Sequence, residues 1–373
     1  MEEYKARIQR LGQLKGGRVI AISDIHGHAQ WLKRLLEELR LTDQDELFIV
    51  GDLIERGPEN LETLRLIMEL QRRGAHVSRG NWDLHVLKLL DGAKDQADNG
   101  LMSAARAFTQ RFGNSLLGDF LQGAGMDLGM EGEENRVLRA IQAAYAPEIE
   151  FLRGLPDIME TPHMIFVHGG IPHERLDVLE DQSAGVFLKN DCFVMKGLSF
   201  RKFLVVGHTP ARSYTEGVIC HAPYIHWEQR IASIDGGCGV AREGQINALI
   251  LPQEDSEEFS WISQDDFPFI RALEDQKSSE NPLTIHWPHN EVEILSRERN
   301  GVLLRHCFSG RVFSASEGDL FFGNGGLYIR DMTDYQPAVR AGETLKLISA
   351  QKDRAMVKKN GLVGWYSGRY EKI

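Results

Sequence analysis

A layered α/β fold followed by a smaller all-β domain is the architecture this 373-residue chain predicts. Three observations predict it. Across the first 250 residues, short β-branched apolar runs alternate with amphipathic stretches, the pattern of strands separated by helices. Between Asn99 and Glu150 the strand signals give way to Ala- and Leu-rich pieces, which predict a helical insertion. From about Ile285 onward come short alternating segments with many glycines, as in small β-rich domains.

Taken in order, Arg18–Ser23 reads as a buried strand running straight into Asp24. Leu32, Leu35, Leu36 and Leu39 recur at helical spacing, so Ala29–Arg40 is an amphipathic helix. Glu46–Val50 is the second strand, and Pro58 stands where a helix begins, with Leu61, Leu64 and Met68 on one face. Ala75–Ser78, Met164–Val167 and Lys202–Val206 read as further strands. Ser103–Phe112 and Asn135–Tyr145 are the helical pieces of the insertion. Val302–Arg305, Gly323–Ile329, Thr344–Ile348 and Ala355–Lys358 form the strand-rich end. The domains predicted are 1–250 with an insertion at about 99–150, an acidic linker at 251–284, and a small β-rich domain at 285–373.

Composition narrows the function. With 42% apolar and 26% charged residues, the chain is neither disordered, nor collagen-like, nor a disulfide-stapled miniprotein. Its net charge of −11 argues against a nucleic-acid surface, which needs clustered Lys and Arg. Leu251–Glu280 holds nine acidic against two basic residues, whereas Arg340–Ile373 holds eight basic against three acidic. Four scattered cysteines without a CxxC pair read as reduced thiols. No apolar run approaches the roughly 18 residues of a membrane span, and the charged start is unlike a signal peptide. The expectation is a cytoplasmic protein.

Each predicted strand of the first domain ends in a polar cluster beside glycine. These are Asp24-Ile25-His26-Gly27, Gly51-Asp52, Gly80-Asn81-Trp82-Asp83, His168-Gly169-Gly170 and Gly207-His208-Thr209-Pro210. Ligands of α/β sheets sit beyond the carboxyl ends of strands. Taken singly, an Asp there is a helix N-cap, a His a core hydrogen-bonder, and Gly-Asn a turn. Together, two Asp, three His and one Asn make a mixed oxygen–nitrogen set suited to Mn, Fe or Zn rather than Ca. Six side chains exceed one tetrahedral site and suffice for two ions if a carboxylate bridges, an arrangement fit for phosphoryl displacement.

The five clusters, in this order, resemble the motifs of the calcineurin-like metallophosphoesterases, and within them the phosphoprotein phosphatases of bacterial serine/threonine type. The matching segments are SDIHG (Ser23–Gly27), GDLIERG (Gly51–Gly57), GNWD (Gly80–Asp83), VHGG (Val167–Gly170) and GHTP (Gly207–Pro210). Phe151–Pro156 and Ile234–Gly239 resemble flanking family segments, so the resemblance covers about residues 18–250. It implies a layered β-sandwich flanked by helices and two divalent ions, manganese first, with iron or zinc as alternatives. Asp24 and His26 would hold the first ion, Asp52 would bridge, and Asn81, His168 and His208 would hold the second. Arg56 would grip the substrate phosphate as a bidentate fork, and a metal-bridging hydroxide would attack phosphorus. The substrates implied are a phosphorylated protein or a small phosphoester.

Two departures fall on one pair. The family's general-acid His is Trp82 here, and its supporting Asp is Glu55. An indole cannot protonate a leaving group. Asp83 is the foremost replacement acid, with His28, His85 and His173 as other neighbours in sequence. Trp82 either packs against the insertion or contacts substrate as a stacking surface. Bacterial members also carry an Arg where Asn190 falls, for which Lys189 or Arg201 could substitute. The expectation is therefore a serine/threonine-type phosphatase. The alternatives are a nucleotide, dinucleoside polyphosphate or phosphodiester hydrolase, and a metal-binding scaffold of weak or no activity. Ala341-Gly342-Glu343, Leu345–Ile348 and Asn360–Tyr366 resemble a Src-homology-3-like barrel, which implies peptide binding or self-association through the β module.

Overall fold

Strands whose residues are apolar at both parities need cover on two faces. The fold supplies it with a second sheet on one side and helices on the other. The structure, a computed structural model, describes residues 4–92, 100–127, 134–298, 301–323 and 325–373. The chain divides into two units, Met1–Ala211 with Ala222–Asp266, and Arg212–His221 with Phe267–Ile373.

The first unit contains β1 (Ile8–Arg10), β2 (Val19–Ile22), β3 (Glu46–Val50), β4 (His76–Ser78), β5 (Ile158–Glu160), β6 (Met164–Val167) and β7 (Phe203–Val206). A short strand of the second unit, β8 (Ile219–Cys220), intervenes before β9 (Tyr224–His226), β10 (Ile231–Ser233), β11 (Ile246–Leu251) and β12 (Ser260–Gln264). One sheet is ordered β12-β11-β2-β3-β4 and the other β1-β5-β6-β7-β10-β9. β2, β3 and β4 are parallel, as are β6, β7 and β10, so each sheet delivers several carboxyl ends to one edge.

Alternation assigns the layers. Val19, Ala21, Phe48 and Val50 share a core with Phe166, Val205 and Ala232 of the other sheet, and the Phe48 and Phe166 rings stack 3.9 Å apart. The intervening Ile20, Ile22, Leu47 and Ile49 pack in a second core with the helices. Those helices are α1 (Ala29–Leu39), α2 (Asn60–Arg72), α3 (Asn81–Leu90), α4 (Leu101–Phe112), α5 (Leu116–Gly123), α6 (Glu134–Ala144) and α7 (Ala146–Gly154), with a single turn α8 (Gly185–Leu188) outside this group. Leu32, Leu35 and Leu39 of α1 are buried as their spacing predicts, each stabilising by about 1.5–3 kcal/mol. The helix stops at Leu39 because Arg40 turns left-handed at φ 47° and returns its N–H to Leu36. α4, α5, α6 and most of α7 occupy the stretch read as an insertion, of which residues 99 and 128–133 lie outside the described residues.

Of the stretch 251–284, read as an acidic linker, Leu251 ends β11 and β12 adds an antiparallel edge strand to the first unit's sheet. The division between the units falls after Asp266.

The second unit, apart from short 3-10 turns at Ala211–Tyr214 and Glu317–Asp319, is all β among its described residues: β8, β13 (Phe269–Ala272), β14 (Thr284–Ile285), β15 (Val292–Glu298), β16 (Gly301–His306), β17 (Val312–Ala315), β18 (Leu320–Gly323), β19 (Gly326–Ile329), β20 (Met332–Thr333), β21 (Thr344–Ala350), β22 (Ala355–Lys359), β23 (Leu362–Tyr366) and β24 (Tyr370–Lys372). Its largest sheet is ordered β24-β13-β21-β22-β23-β8. Asn360 and Gly361, at φ 49° and 78°, make the two-residue turn that joins β22 to β23. Trp365 is buried there, donating its indole N–H to the Thr333 carbonyl beneath the Arg354 guanidinium, rather than lining an open groove.

Candidate metal centre

The six expected ligands stand one to four residues beyond the carboxyl ends of five strands: Asp24 and His26 after β2, Asp52 after β3, Asn81 after β4, His168 after β6 and His208 after β7. The structure brings all six together. Backbone bonds close the turns, from Asp24 N–H to Gly51 O (3.1 Å), from His26 N–H to Asp52 O (3.0 Å) and from Gly207 N–H to His168 O (2.9 Å). Asp24, His26, Asp52 and His208 all adopt left-handed φ angles of 46–67°, each costing about 1–2 kcal/mol for a residue with a Cβ. Glycine makes the approach feasible. A Cβ on Gly80 would overlap Asp52, and one on Gly207 would overlap the Asp24 carboxylate.

Hydrogen-bond bookkeeping shows what the cluster wants. His26 Nδ1 faces the Ile54 carbonyl (3.2 Å) and His168 Nδ1 faces the Val50 carbonyl (3.0 Å). A carbonyl only accepts, so both Nδ1 atoms carry hydrogen and both Nε2 atoms turn inward. His208 is inverted: its Nε2 meets the Asp191 carboxylate at 2.7 Å, leaving Nδ1 inward, 2.8 Å from Asn81 Oδ1. His168 Nε2 lies 3.2 Å from that same oxygen and 3.3 Å from Asp52 Oδ2, while His26 Nε2 lies 3.5 Å from Asp52 Oδ2 and 4.0 Å from Asp24 Oδ1. Acceptors facing acceptors repel unless a cation or proton stands between them. Donors at right angles around an ion at about 2.1 Å lie about 3 Å apart. The set fits two divalent ions, with Asp52 common to both groups.

The electrostatics agree. Burial works against charge on His168, but the Asp52 and Asp24 carboxylates outweigh it and push the imidazole up to about 10. A divalent ion held at this position would take the place of that proton. Burial lowers His26 to about 3. Burial, with Asp235 next, raises Asp24 well above the usual carboxylate range, whereas His168 and His26 overcome burial at Asp52 and hold it below that range.

At the rim, the Arg56 guanidinium lies over the Trp82 ring at 4.8 Å and the Phe112 ring at 5.7 Å, and its Nε has no hydrogen-bond partner among the described residues. Trp82 also meets Phe108 and Phe112 edge-on, at 5.4 and 5.8 Å. The other departure, Glu55, accepts the Leu116 N–H at 3.0 Å, at the start of α5. Both departures therefore contact the helical insertion: Trp82 packs on α4 and Glu55 holds α5. Burial raises Glu55 to about 8.

Asp83, expected as the replacement acid, is fully buried, and its two oxygens accept the Leu53 and Gly80 N–H groups. That geometry makes it the capping carboxylate of α3. His28 holds the His26 carbonyl through Nδ1, His85 stands edge-on to Trp82, and His173 lines a surface groove with Arg175 and Arg201. Arg201 pairs with Glu174, and Asn190 accepts from Lys196.

Two residues escaped the sequence reading as members of the site. Asp235 follows β10, repeating the strand-then-carboxylate signal, and is buried with its Oδ1 on the Gly237 N–H. Burial pushes it up to about 6. Asp191 sits in a loop with no local signal, and only folding brings it to His208.

Known proteins resemble parts of this chain. The model of the calcineurin-like phosphoesterase family matches residues 17–234, more than half of the chain. The chain is 44% identical over 75 residues to a symmetrical bis(5'-nucleosyl)-tetraphosphatase of Thioalkalivibrio sulfidiphilus, covering 20% of this chain and 27% of that protein. It is 46% identical over 72 residues to its namesake from Photobacterium profundum, covering 19% and 26%. These matches span about a quarter of the relatives' length. A solved structure provisionally assigned as a diadenosine tetraphosphatase aligns at TM-score 0.44 and 21% identity, covering 70% of this chain and 99% of that one. A serine/threonine phosphatase structure from Saccharomyces cerevisiae aligns at TM-score 0.41 and 10% identity, covering 71% and 84%. Such hydrolases of phosphoester bonds use divalent metal ions, and with its matched region holding the clustered donors described above, the chain belongs to the calcineurin-like phosphoesterase family.

Proposed function

We propose that this enzyme hydrolyses phosphoanhydride bonds of small nucleotides, dinucleoside polyphosphates first, with manganese as its divalent ion. The observation that carries the reading is the side chain at the acid position. Trp82 has no transferable proton at neutral pH, and Asp83 is enclosed by backbone amides. A serine alkoxide is a poor leaving group that needs a proton from a general acid, worth about 10²–10⁴-fold. A nucleotide leaving through its phosphate departs as a stable anion and needs none. The names of the tetraphosphatase relatives support the same substrate class, so the serine/threonine phosphatase expected first from the sequence ranks behind this alternative.

Two divalent ions held by Asp24, His26, Asp52, Asn81, His168 and His208 would supply water activation and neutralisation of phosphoryl charge. Arg56, its Nε unpartnered, would bind a phosphoryl oxygen beside them. Trp82, Phe108 and Phe112 are each half-buried, which leaves ring surface next to Arg56 for a base to stack on.

The test compares kcat/KM of the manganese-loaded full chain on diadenosine tetraphosphate, p-nitrophenyl phosphate, bis-p-nitrophenyl phosphate and a phosphoserine peptide. Diadenosine tetraphosphate should exceed the peptide by about 100-fold or more. Equal turnover of the two would refute the anhydride reading, and turnover of none of the four would refute the enzyme's assignment to any of these classes.

A further inference from the structure

We infer that Asp191 is a positioning residue for one of the two metal sites, fixing the ring orientation and tautomer of His208. The inference rests on reading the clustered donors as a metal centre, and it is independent of the substrate. His208 is the one imidazole of the three that presents Nδ1 inward: its outward nitrogen is Nε2, engaged by a carboxylate, whereas the other two turn Nδ1 outward onto a backbone carbonyl. An ionised carboxylate has no hydrogen to give, so at 2.7 Å from Asp191 Oδ1 the His208 Nε2 must carry the proton. Nδ1 is then left as a lone pair aimed at the position shared with Asn81 Oδ1 and His168 Nε2. Metal-bound histidines are commonly held in this way, and loss of the outer partner weakens metal affinity about 10–100-fold.

The loop that carries Asp191 is fastened to the His208 turn a second time. The Cys192 N–H donates to Thr209 Oγ1 at 3.0 Å, one residue along from each member of the Asp191–His208 pair. Cys192 is left-handed at φ 53° and His208 at φ 67°. The two left-handed turns are thus joined by one side-chain bond and one amide bond. The Asp191 side chain is 59% exposed, so its removal disturbs no core.

The test is calorimetric titration of the metal-free full chain with Mn²⁺, comparing wild type, Asp191→Ala and Asp191→Asn. Wild type should take two ions. Asp191→Ala should bind one ion as before and the other about 10–100-fold more weakly. Asp191→Asn, whose amide oxygen still accepts the Nε2 hydrogen, should recover most of that loss. Circular dichroism melting of the metal-free variants should match wild type, which separates a positioning role from a folding one. Wild-type affinity at both sites in Asp191→Ala would overturn the inference, as would equal loss in Ala and Asn. A wild type that binds fewer than two ions would overturn the metal-centre reading itself, and the inference with it, while leaving the substrate test to stand on its own result.

Discussion

Replacing Glu55 with Gln asks whether this carboxyl serves the helical insertion or the reaction. One Glu55 oxygen accepts the Leu116 N–H, and the other is buried without a partner among the described residues. Its acidity is pushed by burial from an ordinary 4.5 up to about 8. A carboxyl with a raised folded-state pKa contributes stability that is fully present below its unfolded value and is lost as pH rises through its folded value. Here that window runs from about 4.5 to about 8. Each unit is worth about 1.36 kcal/mol, so Glu55 costs under about 1 kcal/mol at pH 5 and about 4 kcal/mol at pH 8. Glutamine keeps the acceptor for Leu116 and never ionises, but it buries an amide NH₂ where Oε2 was, at about 1–3 kcal/mol. The variant should therefore melt below wild type at pH 5 and above it at pH 8. The swing of about 3 kcal/mol corresponds to roughly 6–12 °C for a unit of this size. The assay is thermal melting of the metal-free full chain at half-unit steps from pH 5 to 9. Hydrolysis of diadenosine tetraphosphate at pH 7.5 by the manganese-loaded variant should stay within about threefold of wild type. Parallel melting curves would refute the buried-acid account. A loss of about 10²-fold or more in activity would refute the structural role and return Glu55 to proton transfer.

Trp82→His removes a cation–π contact of about 0.5–2 kcal/mol and weakens aromatic pairs with Phe108, Phe112 and His85 of about 0.5–1.5 kcal/mol each, so it should lower stability by about 2–4 kcal/mol. It should raise phosphoserine-peptide turnover by less than about tenfold, because Glu55 is engaged at Leu116 and does not support the new imidazole; a gain of about 100-fold would contradict that. Asp52→Asn should reduce bound manganese below two ions per chain and bring hydrolysis to background, and full activity would exclude the bridging role. Loading the metal-free protein at pH 7.5 should release at least one proton per chain, because His168 is held protonated up to about 10; calorimetric enthalpies independent of the buffer's ionisation heat would show that none is released.

The clustered donor residues and the layered domain were legible in the sequence for one physical reason. A strand buried on both faces reads as an unbroken apolar run, so β2, β3, β6 and β7 and the polar residues at their ends stand out without a structure. β5 and β10 did not stand out, and Asp235 was missed as a member of the site with β10, although the equally short β4 was legible over Ala75–Ser78. The acidic stretch hid β12, because an edge strand buries little and tolerates charge.

What the sequence determined by itself is the kind of donors and their order: carboxylate, imidazole and amide oxygen, each behind a strand and beside a glycine. It also showed that the usual acid pair had changed to Trp82 and Glu55. What only the tertiary structure decided is where those two side chains go, and the answer is the helical insertion, Trp82 onto Phe108 and Phe112 and Glu55 onto the Leu116 amide. It likewise decided that Asp83 caps a helix and that Asp191 reaches His208. Apart from the Asp83 bond to Gly80, three residues away, these contacts join residues distant along the chain, and the turns of the site are left-handed at Asp24, His26, Asp52, Glu55, Arg56 and His208. Residue type and spacing leave such backbone strain unspecified. It persists only where packing from many elements holds it in place.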